Sequence, residues 1–210
     1  AYEGKLKPYE YPVTKAYETM SCFECLLEYY RVTGDERHLV AVMNFVQGVM
    51  DTDVTVIGCC GCTHELFDNS AKHQTNMQRN LEIHQQETCV TVTWMRLLAR
   101  LYRLTGEAKY IERLEKSAVN SLYGSINTHM LPQYHQWKIG GNKIGPFVFD
   151  SYAPLYNGRR GVGVGGSKFY PDNEFVYGCC ACIGSAGSAI YPLTAAMTSA
   201  EGIVISSLWE

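Results

Sequence analysis

Three widely separated segments carry side chains that could bind a metal ion. Cysteines are adjacent at 59–60 and again at 179–180, and Glu87 and Cys89 form an isolated Glu-Thr-Cys motif between them. Thiolates and a carboxylate drawn from distant segments are typical ligands of a tetrahedral Zn²⁺. The sequence therefore predicts a metal centre if the fold brings these groups together, and nearby acidic residues then become candidates for catalysis.

The spacing of these residues restricts how they can meet. Two residues apart on a regular helix, Glu87 and Cys89 would point roughly 200° away from each other. They converge only if Glu87 lies in the turn that enters a helix, with Thr88 as its cap and Cys89 in the first turn, where the helix dipole favours a thiolate. Cys179 and Cys180 would face opposite sides of a flat strand, so joint binding requires a turn. The alternative is a set of buried small residues beside tight bends.

The other cysteines have less definite roles. Nine cysteines with adjacent pairs are a poor disulfide framework, which favours a reducing, cytoplasmic setting. Cys22 and Cys25 have metal-like spacing, but they fall in an apolar helical stripe and are predicted to be core residues. The thiols at 59, 60, 62 and 182 could form a second site or line the same pocket.

Other patterns exclude several functions. Glu65 follows His64 in a turn bordered by glycine and cysteine, where a solvated glutamate is the alternative to a catalytic one. The glycine-rich run 161–166 does not follow a strand and open a helix, which argues against a nucleotide site. A net charge of -3 without a basic run argues against nucleic acid. The sequence contains no apolar run of about 18 residues, so it predicts no membrane span.

Apolar residues recur at helical spacing in two pairs of segments, which together predict four helices. The Tyr-Arg-x-Thr-Gly-acid sequence at 30–35 returns at 102–107, an offset of 72 residues. Gly34 is expected to end one helix and Asp35 to cap the next. A repeated helical hairpin indicates stacked helical pairs, as in solenoids and α/α toroids.

Two segments do not follow this helical pattern. Residues 125–178 are rich in Gly, Pro and Tyr and are predicted as long loops with short strands, which are usually functional. Residues 202–209 are predicted as a strand without a nearby partner, so they would open a β-domain. This division gives a helical domain over 1–198 and the start of a β-domain over 199–210.

The sequence resembles the β-L-arabinofuranosidases of glycoside hydrolase family 127 and their relatives. The matching stretches lie in the family's order along nearly the whole chain, at 16–22, 30–35, 63–67, 87–90, 151–155 and 177–182. The resemblance implies a mainly α fold, part of an (α/α)6 barrel followed by β-sandwich domains. A twelve-helix barrel needs more than 210 residues, so this chain is expected to supply the later barrel helices, the catalytic loops and the first strand beyond.

The resemblance also implies roles for individual residues. It implies that zinc is bound by Glu87, Cys89, Cys179 and Cys180. It implies that Cys179 is the nucleophile and Glu65 the general acid/base, and that Tyr152 and His64 belong to the sugar pocket. The implied reaction is zinc-dependent, retaining hydrolysis that releases β-L-arabinofuranose or a similar sugar from plant-type glycans. Lys15 stands where relatives often carry His.

Two alternatives differ in class from this hydrolase. One is a noncatalytic helical module in which four protein ligands close the zinc site. The other is an α/α-toroid enzyme of another reaction type, such as a lyase, for which Lys15, Arg159 and Arg160 could form a positive subsite. The order of preference is hydrolase, then lyase, then module. The partner expected for either enzyme is a carbohydrate.

Overall fold

The structure is a computed structural model, and it describes residues 2–61, 65–77, 86–126, 138–139, 142–143, 149, 152, 168–170, 175–177 and 179–207. Within these ranges the helices are α1 (Ala16–Thr33), α2 (Glu36–Thr52), α3 (Ser70–Met77), α4 (Thr88–Thr105), α5 (Ala108–Lys116), α6 (Cys179–Gly187) and α7 (Ile190–Ala195). The strands pair as antiparallel hairpins, β1 (Lys138–Ile139) with β2 (Asn142–Lys143), β3 (Lys168–Tyr170) with β4 (Phe175–Tyr177), and β5 (Ala196–Ser199) with β6 (Gly202–Ile205). None of these helices has the length and apolar content needed to cross a bilayer.

The helical hairpin repeats as the sequence predicts, in α1–α2 and again in α4–α5. Gly34 ends α1 with φ 72° and donates its N–H to the carbonyl of Tyr30 at 2.7 Å. Gly106 ends α4 with φ 70° and donates to the carbonyl of Tyr102 at 2.8 Å. A left-handed residue at a helix end favours glycine. Asp35 caps α2 by accepting from the N–H of Arg37, as expected.

Ion pairs join α1 and α4 at equivalent positions of the repeat. The Arg96 guanidinium donates to both carboxylate oxygens of Glu24, at 3.1 and 2.6 Å, across 72 residues. Arg100 donates to the same Glu24 carboxylate at 2.8 Å and also binds Glu28, again 72 residues away. Because residues one repeat apart meet side by side, the two helices pack in register.

The core lies between the two hairpins, and α4 forms a large part of it. Its largest fully buried side chains include Trp94, Leu97, Leu98 and Leu101 of α4. Phe45 of α2 stacks on Phe23 with ring centroids 3.8 Å apart, and Phe67 meets Phe45 edge-on at 5.8 Å. Through Phe67, the chain that follows Glu65 is anchored to the first hairpin.

After α5 the chain changes its helical winding. A continuous helix is expected as far as Leu122, but Ser117–Leu122 forms a π-helix and Tyr123–Ser125 a 3₁₀ turn. A π-segment shifts the register of the side chains that follow it. Here it directs Ser121 and Ser125 toward α4, where their hydroxyls lie 2.9 Å from that of Thr91 and 3.4 Å from that of Thr88, respectively.

The sequence-based interpretation of the C-terminal strand is wrong in two respects. The strand covers Gly202–Ile205 rather than extending toward 209, and it pairs with β5, which immediately precedes it. The two-residue connection at 200–201 and the positive φ of Gly202 allow this tight hairpin. The proposed domain boundary at 198/199 falls within the hairpin, and the division itself stays a prediction.

The prediction that Cys22 and Cys25 belong to the core is also wrong, because both are exposed. The buried face of α1 is formed by Ala16, Met20, Glu24 and Leu27. Its burial follows i, i+4, i+8 and i+11, which places positions 22 and 25 on the outer surface. Glu24 is buried on this face because Arg96 and Arg100 of α4 bind its carboxylate. The apolar pattern of α1 alone did not predict this buried glutamate.

Replacing Glu24 by Ala is expected to lower the free energy of unfolding by about 2 kcal/mol, because it leaves the half-buried guanidinium of Arg96 without its carboxylate and removes one of the two carboxylates that bind Arg100. Denaturant unfolding of the variant measures this change. The matched control is Glu107→Ala, which removes the exposed pair with Lys109 and is expected to change stability by less than about 0.5 kcal/mol. Equal effects of both substitutions would contradict the importance of the inter-repeat pairs.

Candidate active site

The first half of the site is the start of α4. Glu87 is the residue before the helix, with extended backbone angles (φ -64°, ψ 134°), and Cys89 lies in the first turn. Glu87 lies just before the helix, as predicted, but it is itself the N-cap residue, which was predicted to be Thr88. Thr88 is already helical, and its hydroxyl bonds Ser125. The carbonyl of Glu87 accepts from the N–H and hydroxyl of Thr91, at 3.1 and 3.2 Å.

The second half is the start of α6, where Cys179 and Cys180 begin a helix. The predicted turn is therefore a helical one, which brings both side chains toward α4. The Sγ atom of Cys89 lies 2.9 Å from that of Cys180 and 3.8 Å from that of Cys179, and the two α6 sulfurs are 3.9 Å apart. A carboxylate oxygen of Glu87 lies 3.6 Å from the Sγ of Cys180.

These four side chains have the spacing of a metal ligand set. One ligand atom from each of Glu87, Cys89, Cys179 and Cys180 lies within 4.8 Å of all the others. Sulfurs that share a tetrahedral zinc with bonds of about 2.3 Å stand about 3.8 Å apart. Two of the three sulfur–sulfur distances match that value, and the third is shorter.

The protonation chemistry of the cluster also fits a cation. Burial, and then the neighbouring Cys180, raise the pKa of Glu87 to about 8, and its second carboxylate oxygen is buried without a hydrogen-bond partner. The contact with Cys180, followed by burial, raises the pKa of the Cys89 thiol. A buried group of acids that resist ionisation and leave an oxygen unpaired becomes stable as anions when a metal ion binds among them.

Close packing of α6 on α4 makes this meeting possible. A Cβ atom at Gly187 would lie 2.4 Å from a methyl carbon of Val92 in α4. At Gly184 it would lie 2.6 Å from the ring of Phe149. Val92 and Phe149 are both buried, so neither can move away freely. Gly187 therefore lets the helix carrying Cys179 and Cys180 approach α4 closely, and Gly184 lets it approach Phe149.

A separate segment carries Glu65. Its backbone pairs with the chain before α1: Ala16 donates to the carbonyl of Glu65 at 2.8 Å, and Phe67 donates to that of Thr14 at 2.7 Å. Glu65 has φ 66°, a left-handed conformation that is rare for a residue with a Cβ atom. Such a conformation is maintained by surrounding contacts and is found mainly at functional sites.

Asp53 holds the chain just beyond this segment. One of its carboxylate oxygens accepts the backbone N–H groups of Asp68, Asn69 and Ser70, at 2.9, 2.9 and 3.3 Å. The other oxygen accepts from the hydroxyl of Thr52 at 2.6 Å. The carboxylate thus caps the start of α3 from a distant position in the chain.

Tyr152 connects Glu65 to the ligand cluster. Its backbone forms an antiparallel bridge with Glu87, and its hydroxyl donates to one carboxylate oxygen of Glu65. The other oxygen of Glu65 binds the ammonium of Lys15. Burial, and then the charge of Glu87, raise the pKa of the Tyr152 phenol, which keeps the hydroxyl protonated as a donor. The predicted acid/base and the predicted ligands therefore share one site.

The remaining predicted residues have different outcomes. Cys59 is buried behind the cluster, and its thiol donates to the carbonyl of Glu87 at 3.7 Å. Cys60 is also buried, and burial raises the pKa of its thiol, whereas Cys182 is exposed. His64 and Cys62 lie outside the described residues.

Sequence reasoning missed three supporting features. Asp53 stands alone at the end of α2, and no local pattern connects it with residues 68–70. Ser121 and Ser125 are ordinary small polar residues until the π-segment turns them toward α4. Lys15, directly before the matching stretch 16–22, was interpreted as a departure from relatives or as part of a positive subsite. Its ion pair with Glu65 was not predicted.

Replacing Gly187 by Ala is expected to displace α6, because its new methyl group overlaps Val92. We expect the free energy of unfolding to fall by about 2 kcal/mol, and the buried thiols of Cys89 and Cys180 to react faster with an aromatic disulfide reagent. Ser185→Ala, on the exposed face of the same helix, is the matched control. Unchanged thiol reactivity in Gly187→Ala would show that the close approach is not required.

In the metal-free protein, Glu87 is expected to make stability fall as the pH rises. Its pKa is raised from 4.5 to about 8 on folding, so the folded state retains a proton that the unfolded state releases. This stabilisation is complete below about pH 4.5 and is lost as the pH rises through about 8. Denaturant unfolding with a chelator present should therefore show a weaker pH dependence in Glu87→Gln than in the parent. Identical slopes would contradict this assignment.

Known proteins share this architecture. A solved glycoside hydrolase superposes with a TM-score of 0.59 at 16% identity, covering 93% of this chain and 32% of its own. A GH127 β-L-arabinofuranosidase from Geobacillus stearothermophilus T6 gives 0.59 at 13%, covering 91% and 28%, and another GH127 β-arabinofuranosidase gives 0.54 at 20%, covering 85% and 24%. The chain thus spans a third or less of these structures. Their likeness confirms the predicted fold class, a mainly helical part of an (α/α)6 barrel.

A comparison with curated proteins finds no match. The family model described as the β-L-arabinofuranosidase, GH127 catalytic domain, matches residues 10–131, which is more than half of the chain. The matched range contains both helical hairpins, the Glu65 segment and the start of α4. This chain belongs to the GH127 β-L-arabinofuranosidase catalytic-domain family.

Proposed function

We propose that the protein is a zinc-dependent retaining glycoside hydrolase that releases β-L-arabinofuranose, or a similar sugar, from plant-type glycans. The observation that carries this proposal is one carboxylate and three thiols within 4.8 Å of one another, linked through Tyr152 to the carboxylate of Glu65. Because the chain spans a third or less of its solved relatives, the activity is proposed for the whole protein.

Zinc is the metal that this donor set favours. Three soft thiolates and one carboxylate at tetrahedral spacing suit Zn²⁺ and exclude the oxygen-seeking cations Ca²⁺ and Mg²⁺. Glu87, Cys89, Cys179 and Cys180 would hold the ion. Its positive charge would keep the thiols ionised at neutral pH, where a free cysteine with a pKa of about 8.5 is mostly protonated.

In the first half of the reaction, the thiolate of Cys179 attacks the anomeric carbon of the sugar. The bond from that carbon to the glycosidic oxygen breaks as the carbon–sulfur bond forms. Protonated Glu65 donates its proton to the departing oxygen, which leaves as an alcohol. Cys179 is the candidate because it is only partly buried, whereas Cys89 and Cys180 are buried.

In the second half, Glu65 acts as a base. It accepts a proton from a water molecule while the water oxygen attacks the anomeric carbon, and the carbon–sulfur bond breaks. The thiolate of Cys179 is restored, and Glu65 is protonated again for the next cycle. Two displacements at one carbon retain its configuration, as in glycosidases that use a carboxylate nucleophile.

The sugar pocket is proposed to include Tyr152 and His64. The hydroxyl of Tyr152 lies at the carboxylate of Glu65, so its ring borders the place where the scissile bond must lie. Two of the solved neighbours are β-arabinofuranosidases by name, which supports a β-L-arabinofuranoside as the substrate. We also propose that residues 199–210 begin a β-sandwich domain after the helical domain of residues 1–198.

One observation favours a second candidate, the noncatalytic zinc-stabilised module. Four protein ligands are enough to close a structural zinc site, and all four are present here. In that case Cys179 would be needed for folding, whereas in the hydrolase its loss would stop catalysis in a folded protein.

The test uses the full-length natural polypeptide, with metal analysis and a nitrophenyl β-L-arabinofuranoside assay. Cys179→Ser is expected to lower kcat by at least about 10³-fold, because an alcohol is a far weaker nucleophile at this pH. Glu65→Gln is expected to lower kcat/KM by about 10² to 10⁴-fold on methyl β-L-arabinofuranoside, whose leaving group needs a proton, and much less on the nitrophenyl glycoside. Cys182→Ser, which changes an exposed thiol of the same helix, is the control.

A zinc-free parent that is fully active would reject the mechanism. A parent that binds one zinc per chain but hydrolyses no β-L-arabinofuranoside, together with a Cys179→Ser variant that unfolds, would favour the noncatalytic module. Thermal unfolding of each variant distinguishes a loss of folding from a loss of chemistry.

A further inference from the structure

Lys15 makes contacts to Glu65 that no role described so far uses. It is the residue that precedes α1, and its ammonium forms an ion pair with Oε2 of Glu65. The hydroxyl of Tyr152 donates to the other oxygen, Oε1. Both oxygens of this carboxylate are thus bound, each by a donor from a different part of the chain.

The backbone of Lys15 holds the same segment. Lys15 forms an antiparallel bridge with Leu66, and the hydrogen bonds from Ala16 to Glu65 and from Phe67 to Thr14 lie on either side of it. These bonds maintain Glu65 at its positive φ. The backbone on either side of Lys15 therefore holds the Glu65 segment, and the side chain of Lys15 holds its carboxylate.

The charges around this pair favour a specific orientation. The side chain of Lys15 is 38% exposed and that of Glu65 is 19% exposed, so the carboxylate is the more buried partner of the pair. Lys15 also acts on Glu87, whose pKa it lowers against the larger effect of burial. In the described residues, Glu65 contacts this ammonium and the Tyr152 phenol. The phenol in turn is close enough to the acidic groups of the ligand cluster for their charge to raise its pKa, after the larger effect of burial.

We propose that Lys15 is a positioning residue for proton transfer by Glu65, an inference that rests on the proposed hydrolase function. The ammonium fixes Oε2, while Oε1, which has a second lone pair besides the one that accepts from the Tyr152 hydroxyl, exchanges the proton with the glycosidic oxygen and then with water. Without this ammonium the carboxylate can rotate about its last side-chain bonds, and the proton no longer points to the scissile bond.

A stabilising role alone does not account for this arrangement. Partly exposed ion pairs contribute little to stability, and the loop of Glu65 is already held by the backbone bonds and by Asp53. Removal of the ammonium is therefore expected to change catalysis more than folding. The effect should depend on how much the leaving group needs a proton.

The test compares Lys15→Met, Lys15→Arg, Glu65→Gln and the double variant Lys15→Met/Glu65→Gln in the full-length zinc-loaded protein. The substrates are methyl β-L-arabinofuranoside, a poor leaving group, and the nitrophenyl glycoside, a good one. Lys15→Met is expected to lower kcat/KM about 100-fold on the methyl glycoside and less than about fivefold on the nitrophenyl glycoside. Lys15→Arg, which keeps the charge, should restore activity to within about threefold of the parent.

The double variant identifies the route of the effect. If Lys15 acts through Glu65, adding Lys15→Met to Glu65→Gln lowers kcat/KM by less than about twofold further, since the group it positions is already lost. Lys109→Met, which removes the exposed partner of Glu107, is the matched control. If Lys15→Met does not fold, as judged by thermal unfolding, Lys15→Gln takes its place.

Equal losses on both glycosides, or a full multiplicative loss in the double variant, would overturn the role of Lys15. So would a Lys15→Met variant as active as Lys109→Met while Glu65→Gln is impaired. A Glu65→Gln variant with the activity of the parent on the methyl glycoside would instead reject the proposed function itself.

Discussion

The contact between the starts of α4 and α6 is the constraint on which the site depends. Two helices from distant parts of the chain point their N-termini at one place, and in their first turns α4 brings one thiol and α6 brings two. The partial positive charge at both helix starts favours anions there. The meeting requires glycine where α6 crosses Val92, since any Cβ atom at Gly187 would overlap that side chain.

This contact produces a cluster that is unfavourable without a cation. Buried acids resist ionisation, as the raised pKa of Glu87 shows, and an unpaired buried carboxylate oxygen destabilises the fold. The nearby hydroxyls bond to one another, Thr88 with Ser125 and Thr91 with Ser121, and Thr91 also bonds to the Glu87 carbonyl. None of these bonds uses the second carboxylate oxygen of Glu87. The local chemistry of this cluster therefore fits a metal ion without reference to any relative.

Local signals in the sequence predicted the parts of the fold that depend on neighbouring residues. Gly34, Gly106 and Asp35 end and cap helices as expected, because a left-handed cap and an N-cap are decided within a few residues. Residue type and helix entry predicted how Glu87 and Cys89 could converge, and the family resemblance completed the ligand set with Cys179 and Cys180. Contacts between distant residues did not follow: nothing near Asp53 in sequence shows that it caps α3, and nothing near Lys15 shows that it binds Glu65. The exposure of Cys22 was missed for the same reason, since the partner of α1 lies 72 residues away.

The pairing of Glu24 with Arg96 and of Glu28 with Arg100 has a consequence for how such a tandem protein evolves. Because α1 and α4 pack in register, each residue of α1 lies opposite the residue 72 positions later in α4. If the two helices had identical sequences, glutamate would face glutamate or arginine would face arginine. Like charges at that distance repel. After duplication, the copies must diverge first on the surfaces they share, whereas the turns between helices are free to stay alike. In this chain the two hairpins are accordingly alike at the Thr-Gly corners and differ at the charged positions of the adjoining faces.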